Sequence, residues 1–542
     1  MTTSLFSAPD SFAREALERL FRILDTVMPM NGSQRRDLSM ACRDLSALLT
    51  TERDALARPY WTSPRLTSAY LRYFLPWNLV RLSALLPDLD FGRIPEEPLI
   101  LDMGSGPLTL PMALWLSRPD LRRRPVTLVA SDTTPHILEL GKNIFDHLRA
   151  ELDPESPWTV RTMRASVTLA PRRLYAKPGS LWMATLGNVL NEMEERRAKP
   201  GHQMADRMRE LLESLSDMMT EEGLVLSVEP GTRQGGRLVS HLRKSALGGV
   251  EEEPEYQDLT TFALREEQAG RGMFDEEDDV DEDEDFGLEP LFMPVAPCPH
   301  AGRCPMLDRR STAWCHVNAP AEHAPATLRE LSARAGLDKD SVSLSFLLLR
   351  KLREEEGVED GGPSRGRRVR ARIISDAFVV PGYPGRARYA CTALGLGLIP
   401  ASSHLPAGAL CDAWPTREKD MKSRAVILSL EEARPAPSRE RPFPQRRDDR
   451  EQTRGGQGRR PREGAKEQGG RVARSHENTR GQGGRTAYRQ EETRRDERAA
   501  RPRNDRENDR RPHGPSRDKK RPQEQTRPYP DGREARKKGR ED

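Results

Sequence analysis

A strand that ends in an acid and a glycine turn constrains this chain more than any other feature. From Pro98 the run Leu-Ile-Leu101-Asp102-Met-Gly104-Ser105-Gly106 leads straight into an apolar helical pattern ending near Trp115. Glycine reaches backbone conformations closed to other residues and lets a ligand approach the chain, while amides at a helix start are free donors. A second apolar strand, residues 126–130, ends at Ser131-Asp132 and precedes a helix that begins near Pro135. An acid at the end of the second strand is where doubly wound proteins hold a ribose. Further strands are expected over residues 180–186 and 223–228, followed by Gly187-Asn188-Val-Leu-Asn191-Glu192 and by Glu229-Pro-Gly231-Thr232. This alternation predicts an α/β fold with a doubly wound parallel sheet. Upstream, Leu17, Leu20, Phe21 and Leu24 recur at helical spacing, as do Tyr70, Phe74, Leu79 and Leu86, so the leading region is expected to be all-helical.

The second constraint is chemical. The chain has six cysteines in 542 residues, and three of them fall within eighteen: Cys298-Pro299-His300, Cys304-Pro305 and Trp314-Cys315-His316. A further cysteine, Cys391, follows much later, whereas Cys42 and Cys411 stand in unrelated contexts. Thiolates bind zinc and iron–sulfur clusters above all, and the prolines stiffen the segment into a knuckle. Disulfides are the competing explanation. The first thirty residues carry Asp10, Glu15 and Glu18 and no long apolar run, so no secretory signal is expected. No apolar stretch is long enough to span a membrane. A reducing, cytoplasmic setting follows, in which metal binding outranks disulfides. On the residues alone the metal stays open, because His300 or His316 would complete a Cys3His zinc site.

Charge divides the chain. From Arg434 onward there are 34 basic and 20 acidic residues, a net of about +14, against about −10 for the remainder. This segment repeats arginine, glycine and glutamine with few aliphatic residues, so residues 431–542 are expected to be a disordered arginine-rich tail. Its arginines suit RNA phosphates, and Tyr488 and Tyr529 would stack on bases. The acidic run from Asp275 to Asp285 reads as part of a solvated linker, residues 251–290.

The strand, the glycine turn and Asp132 together resemble the S-adenosylmethionine site of class I methyltransferases. Thr109 stands where a dinucleotide pattern has its third glycine, which disfavours a dinucleotide. The resemblance implies that Asp102, Gly104, Ser105, Gly106 and Asp132 hold S-adenosylmethionine, within a methyltransferase-like core over residues 95–250 that follows a helical N-terminal region, 1–94. No catalytic residue is identified. Residues 186–192 lack the Pro-Pro-aromatic motif that grips an exocyclic amine, and Cys298 has clustered partners that suit a metal better than a nucleophile's role.

Over roughly residues 65–400, a longer ordered set is similar to the Rsm-type family of the small ribosomal subunit, which includes mitochondrial methyltransferase-like protein 17. The set comprises the glycine turn, Asp132, Asn188 to Glu192, Glu229 to Thr232, the three-cysteine knuckle, Cys391, and the stretches from Ser68 to Pro76 and from Leu344 to Lys351. That resemblance implies a [4Fe–4S] cluster on Cys298, Cys304, Cys315 and Cys391 in preference to zinc, within a cysteine-rich segment over residues 291–430. It implies the small ribosomal subunit and its rRNA as partners, chiefly in subunit assembly. The first residues lack the arginine- and serine-rich, acid-poor pattern of a transit peptide, so a bacterial-type cytoplasmic member is expected. The alternatives are an active rRNA methyltransferase and, more remotely, a zinc-binding, RNA-associated regulator.

Overall fold

Five parallel strands, β1 (Leu99–Met103), β2 (Thr127–Asp132), β3 (Thr159–Arg164), β4 (Leu181–Gly187) and β5 (Met219–Pro230), stand in the order β3-β2-β1-β4-β5. The computed structural model describes residues 4–50, 60–190, 193, 204–249, 288–308, 313–353, 368–383, 385–402 and 404–431, all within the unit Met1–Arg441. The acidic run 275–285, the tail after residue 431 with Tyr488 and Tyr529, and Asn191 and Glu192 lie outside the described residues.

The expected parallel sheet is therefore present, and it is larger than the sequence suggested. Strand β3 carries four charged or hydroxyl side chains in six residues, Thr159, Arg161, Thr162 and Arg164, and so lacks the apolar run that marks its neighbours. Beyond β5 the sheet turns antiparallel. Strand β8 (Ser341–Lys351) pairs with β5, and β6 (Phe292–Ala296) and β7 (Val317–Pro320) pair with opposite halves of β8. Successive residues of the central strands are buried on opposite faces, as expected for strands covered on both sides. Ile100, Leu128, Leu226 and Phe346 enter one core layer. Leu101, Val129, Val225 and Leu347 enter the other.

The first layer is roofed by the N-terminal helices. Helix α1 (Ser11–Val27) starts at Asp10, whose carboxylate accepts the Ala13 amide at 2.7 Å, and buries Leu17, Leu20 and Leu24. After α2 (Gly32–Thr50), helix α3 (Pro64–Ala69) passes through a widened turn, Tyr70–Phe74, into α4 (Leu75–Leu85). The remaining helices are α5 (Thr109–Ser117), α6 (Pro119–Arg122), α7 (Pro135–Leu152), α8 (Ala170–Arg173), α9 (Met204–Met218), α10 (Arg233–Ala246) and α11 (Ala326–Ala335). Trp77 of α4 donates to Ser332 of α11 at 3.1 Å, and Tyr73 donates to the Leu337 carbonyl at 3.0 Å. The N-terminal helices thus share the core of the sheet.

A second sheet closes on itself. Strands β9 (Val369–Ile373), β10 (Phe378–Val379), β11 (Arg386–Thr392), β12 (Gly395–Ile399), β13 (Leu410–Lys419) and β14 (Val426–Ser429) run in the order β10-β11-β12-β14-β13-β9, and β9 also pairs with β11. Small residues fill the interior, among them Ala371, Ala390 and Ala413. A Cβ on Gly397 would stand 2.4 Å from Leu428, so a narrow barrel needs glycine there.

Candidate cofactor cleft and cysteine centre

Strand β1 delivers its acid and its glycine turn to the carboxyl edge of the sheet, the edge where open α/β sheets take ligands. Gly104 (φ 66°) and Gly106 (φ 52°) adopt left-handed backbone, and Leu108 (φ 60°) does so at the head of α5. A Cβ on Gly104 would lie 2.3 Å from Val189 Cγ2, so the loop after β4 presses directly on the turn. Beside them a cleft of about 480 Å³ is bounded by Gly104, Asp132, Thr133, Val189, Arg172 and Arg207.

Asp132 reaches this cleft while bracing its walls. Its Oδ2 accepts the Gly106 amide at 3.0 Å and its Oδ1 accepts the Thr134 amide at 2.8 Å. Asp102 lies beneath the turn, buried, with Oδ1 accepting the Thr185 hydroxyl at 2.6 Å. Burial pushes its carboxyl up to about 7, opposed by the Ser105 and Thr185 hydroxyls. Asp102 Oδ2, Ser105 Oγ and Thr109 Oγ1 are buried without a partner of good geometry. Unpaired polar atoms of this kind are costly inside a protein, and their clustering around one turn suits a polar ligand there.

The loop after β4 is held by Glu229 and Asn188, which the sequence marked, and by Arg81, which it did not. Asn188 (φ 58°) accepts from Arg81 Nη2 at 3.0 Å through its side-chain carbonyl, and Arg81 Nη1 donates to the Ser343 carbonyl at 3.0 Å. Glu229 Oε1 accepts both the Val189 and Leu190 amides at 2.8 Å. Burial lowers Arg81 to about 10, against the nearby Glu229 charge. The only hint of Arg81 in the sequence is its position amid the apolar run of α4. The Asn188 side chain is thus engaged in fixing the loop over Gly104.

The cysteine centre assembles from distant parts of the chain. Cys298, Cys304 and Cys315 come from the knuckle and Cys391 from β11, and all four line one narrow cavity of about 20 Å³ with Arg243, Met306 and Ile374. All four are free thiols; Cys304 and Cys391 are buried, Cys298 and Cys315 half-buried. The knuckle is held by side chains on both flanks. Arg243 of α10 donates to the His300 and Gly302 carbonyls at 2.9 and 2.7 Å. Arg372 of β9 donates to the Pro297 carbonyl at 2.9 Å. Trp314 Nε1 donates to the Gly231 carbonyl at 3.1 Å, and a Cβ on Gly236 would stand 2.7 Å from the Cys315 oxygen. Burial, followed by neighbouring cysteines, raises the Cys315 and Cys391 thiols, with Arg243 acting in the opposite direction. For Cys298 burial comes first as well, and Arg243 opposes it. Cys42 and Cys411 lie outside this cavity, as expected.

The side-chain arrangement does not choose between zinc and an iron–sulfur cluster. Among the described residues no three His, Cys, Asp or Glu side chains are grouped to hold one metal ion. A tetrahedral zinc bonded at about 2.3 Å brings its thiolates to within about 3.8 Å of one another. His316 is stacked on Trp314 with ring centres 4.6 Å apart, and His300 Nε2 lies 3.3 Å from Cys391 Sγ. Four thiols around one cavity, flanked by buried guanidiniums that offset negative charge, are a donor set that both zinc and iron–sulfur clusters use. The cavity holds about one water-sized sphere, so the thiols must spread to accept a cluster.

No family model matches the chain, and no curated protein does. Among solved structures, the chain is similar to an S-adenosylmethionine-dependent methyltransferase from Methanosarcina mazei, with 11% identity over 48% of this chain and 95% of that one and a TM-score of 0.23. It is also similar to an arsenic(III) S-adenosylmethionine methyltransferase from Chlamydomonas reinhardtii, with 12% identity over 57% and 86% and a TM-score of 0.22. A precorrin-6y C5,15-methyltransferase from Geobacter metallireducens shares 12% identity over 51% and 87%, with a TM-score of 0.22. Scores this low carry no argument about function. The chain's own strand order, with the glycine turn at β1 and the acid at β2, resembles the class I methyltransferase arrangement.

Proposed function

We propose that this chain is a methyltransferase-like assembly factor of the small ribosomal subunit that binds S-adenosylmethionine and carries a [4Fe–4S] cluster. The observation that carries this reading is the arrival of Cys391, from β11, at the cavity lined by Cys298, Cys304 and Cys315. That four-cysteine set is the most specific part of the resemblance to the Rsm-type family. The cluster would clamp the knuckle between α10 and the barrel, with Arg243 and Arg372 offsetting its charge.

S-adenosylmethionine would sit in the cleft beside Gly104, with Asp132 toward its ribose and the buried Asp102 carboxyl beneath the turn. When bound, it supplies an electrophilic methyl group. The loop that would have to present a substrate to that methyl is committed to the fold, since Arg81 engages Asn188 and Glu229 engages the Val189 and Leu190 amides. This favours binding over catalysis. The alternative is an active rRNA methyltransferase that uses the same cleft of about 480 Å³. To separate the two, anaerobically purified protein is incubated with immature bacterial small subunits and methyl-labelled S-adenosylmethionine, and the particles are sedimented. Protein on the particle with unlabelled rRNA is expected. Labelled rRNA would make the chain an enzyme, and protein absent from the particle would remove the ribosomal reading.

A further inference from the structure

The closed sheet has a connectivity of its own. Numbered from β9 and counting β10 as the continuation of β9, its five strands run 1-2-3-5-4 and return to 1, since β9 pairs with both β13 and β11. The first strand lies antiparallel to the fourth, and the third lies parallel to the fifth through only two residue pairs, Gly397 with Val426 and Leu398 with Ile427. This is the order of the oligonucleotide/oligosaccharide-binding barrel, a five-stranded and partly open Greek key. Barrels of that kind take their ligands on the face of strands two and three, between the loops that follow strands one and four.

In this chain that face is apolar and aromatic. Tyr389 of β11, Leu398 of β12 and Ile427 of β14 form one row across it, with Leu398 and Ile427 buried and Tyr389 half-buried. Phe378 lies 4.7 Å from Tyr389, ring centre to ring centre, and Tyr383 of the first loop packs on the same patch. Phe378, Tyr383, Tyr389 and Leu396 are all half-buried. Two large apolar residues stand out from the barrel, Val379 at 70% exposure and Met421 at 93%. Val379 follows Phe378 and lies on the opposite side of β10, and Met421 is in the loop after the fourth strand. Pro305–Leu307 of the knuckle touches β12.

Charge selects the ligand. Residues 368–431 hold nine arginines and lysines against five acids. Asp412 is paired with Arg368 and Arg370 on the β9–β13 side, and Asp420 accepts from the Ser423 amide and hydroxyl within its own loop. Arg386, Lys419, Lys422 and Arg424 are exposed around the loops that bound the face. Aromatic rings framed by cations fit a strand of stacked bases with a phosphate backbone, and a neutral oligosaccharide would gain nothing from the cations.

We propose that the β11–β12 face of this barrel, between the loop carrying Tyr383 and the loop carrying Met421, binds single-stranded RNA. The choice of RNA over DNA rests on the ribosomal reading above; the choice of a single strand rests on the barrel. The test uses the full chain and a fluorescent single-stranded RNA of about twelve nucleotides, within the usual range for such barrels. Affinity is read by anisotropy across a salt series, for wild type, the triple variant Lys419→Ala, Lys422→Ala, Arg424→Ala, and Tyr383→Ala and Tyr383→Phe. The triple variant removes exposed charges, so its melting temperature is expected to match wild type. Its affinity should fall about tenfold or more, with a log–log salt slope shallower by about 2. Tyr383→Ala should weaken binding by about tenfold, and Tyr383→Phe, which keeps the ring, should restore it.

Duplex RNA competing as well as single strands would overturn the proposal, and so would preference for DNA of the same sequence. Wild-type binding that neither variant alters would place RNA elsewhere on the chain, overturning the barrel site while leaving the ribosomal reading intact. No binding of single-stranded RNA by wild type would count against both.

Discussion

The glycine-turn cleft and the cysteine centre are built in opposite ways. The cleft is local: β1, the turn, α5 and the end of β2 supply Asp102, Gly104, Gly106 and Asp132 within about thirty residues. Its turn is braced from within, Asp132 accepting the Gly106 amide and Thr185 holding Asp102, although Asp102 Oδ2, Ser105 Oγ and Thr109 Oγ1 lack partners of good geometry. The cysteine centre is non-local, joining α10, the knuckle and β11, and its thiols meet one another around a cavity. A turn braced from within keeps its shape without a ligand. A site whose buried thiols crowd one another gains most when a metal displaces their protons.

The largest expected effect therefore lies in the cysteine centre. Cys391→Ser should lose nearly all bound iron and destabilise the folded unit by about 4 kcal/mol or more, because metal binding to the native state adds directly to stability. Cys411→Ser, in the same barrel but outside the cavity, should keep full iron and melt close to wild type. Equal iron loss in both variants would show barrel unfolding rather than loss of a ligand. The readouts are iron per chain and calorimetric melting under anaerobic conditions.

Gly104→Ala comes next. Its Cβ would stand 2.3 Å from Val189, and the backbone at φ 66° disfavours alanine as well. A cost of about 2–3 kcal/mol is expected, together with at least tenfold weaker S-adenosylmethionine binding by isothermal titration calorimetry. Adding Val189→Ala should recover part of the stability by removing the clash. No recovery would place the whole cost in the backbone.

Asp102→Asn is the third test and acts through pH. The folded-state carboxyl is raised to about 7 by burial, above its unfolded value. Its contribution to stability is thus complete below about pH 4 and is lost as pH rises through 7, amounting to about 2–4 kcal/mol. The asparagine variant should show a flatter dependence over that window and gain relative to wild type at pH 8. Parallel pH–stability curves for the two proteins would mean that Asp102 ionises normally.

The same contrast explains what could be read from the sequence. The β1 turn and Asp132 were legible because a strand, two glycines and an acid lie close together in the chain. Strand β3 was not, since Thr159, Arg161, Thr162 and Arg164 interrupt any apolar pattern. The convergence of Cys391 with the knuckle came through a family resemblance, because spacing alone says nothing about a partner 76 residues beyond Cys315. Arg81 escaped notice because its role depends on Asn188 and Ser343, which lie 107 and 262 residues away. The barrel escaped as well. Its short strands are rich in alanine, glycine and arginine, and only their pairing order reveals closure.

The most direct test is the iron and acid-labile sulfide content of the full chain purified without oxygen, with Mössbauer spectroscopy on the iron-57-enriched protein. About four irons and four sulfides per chain, with the spectrum of a [4Fe–4S] centre, is the predicted result. A stoichiometric zinc ion with no sulfide, or four thiols that titrate freely with no metal, would contradict the account.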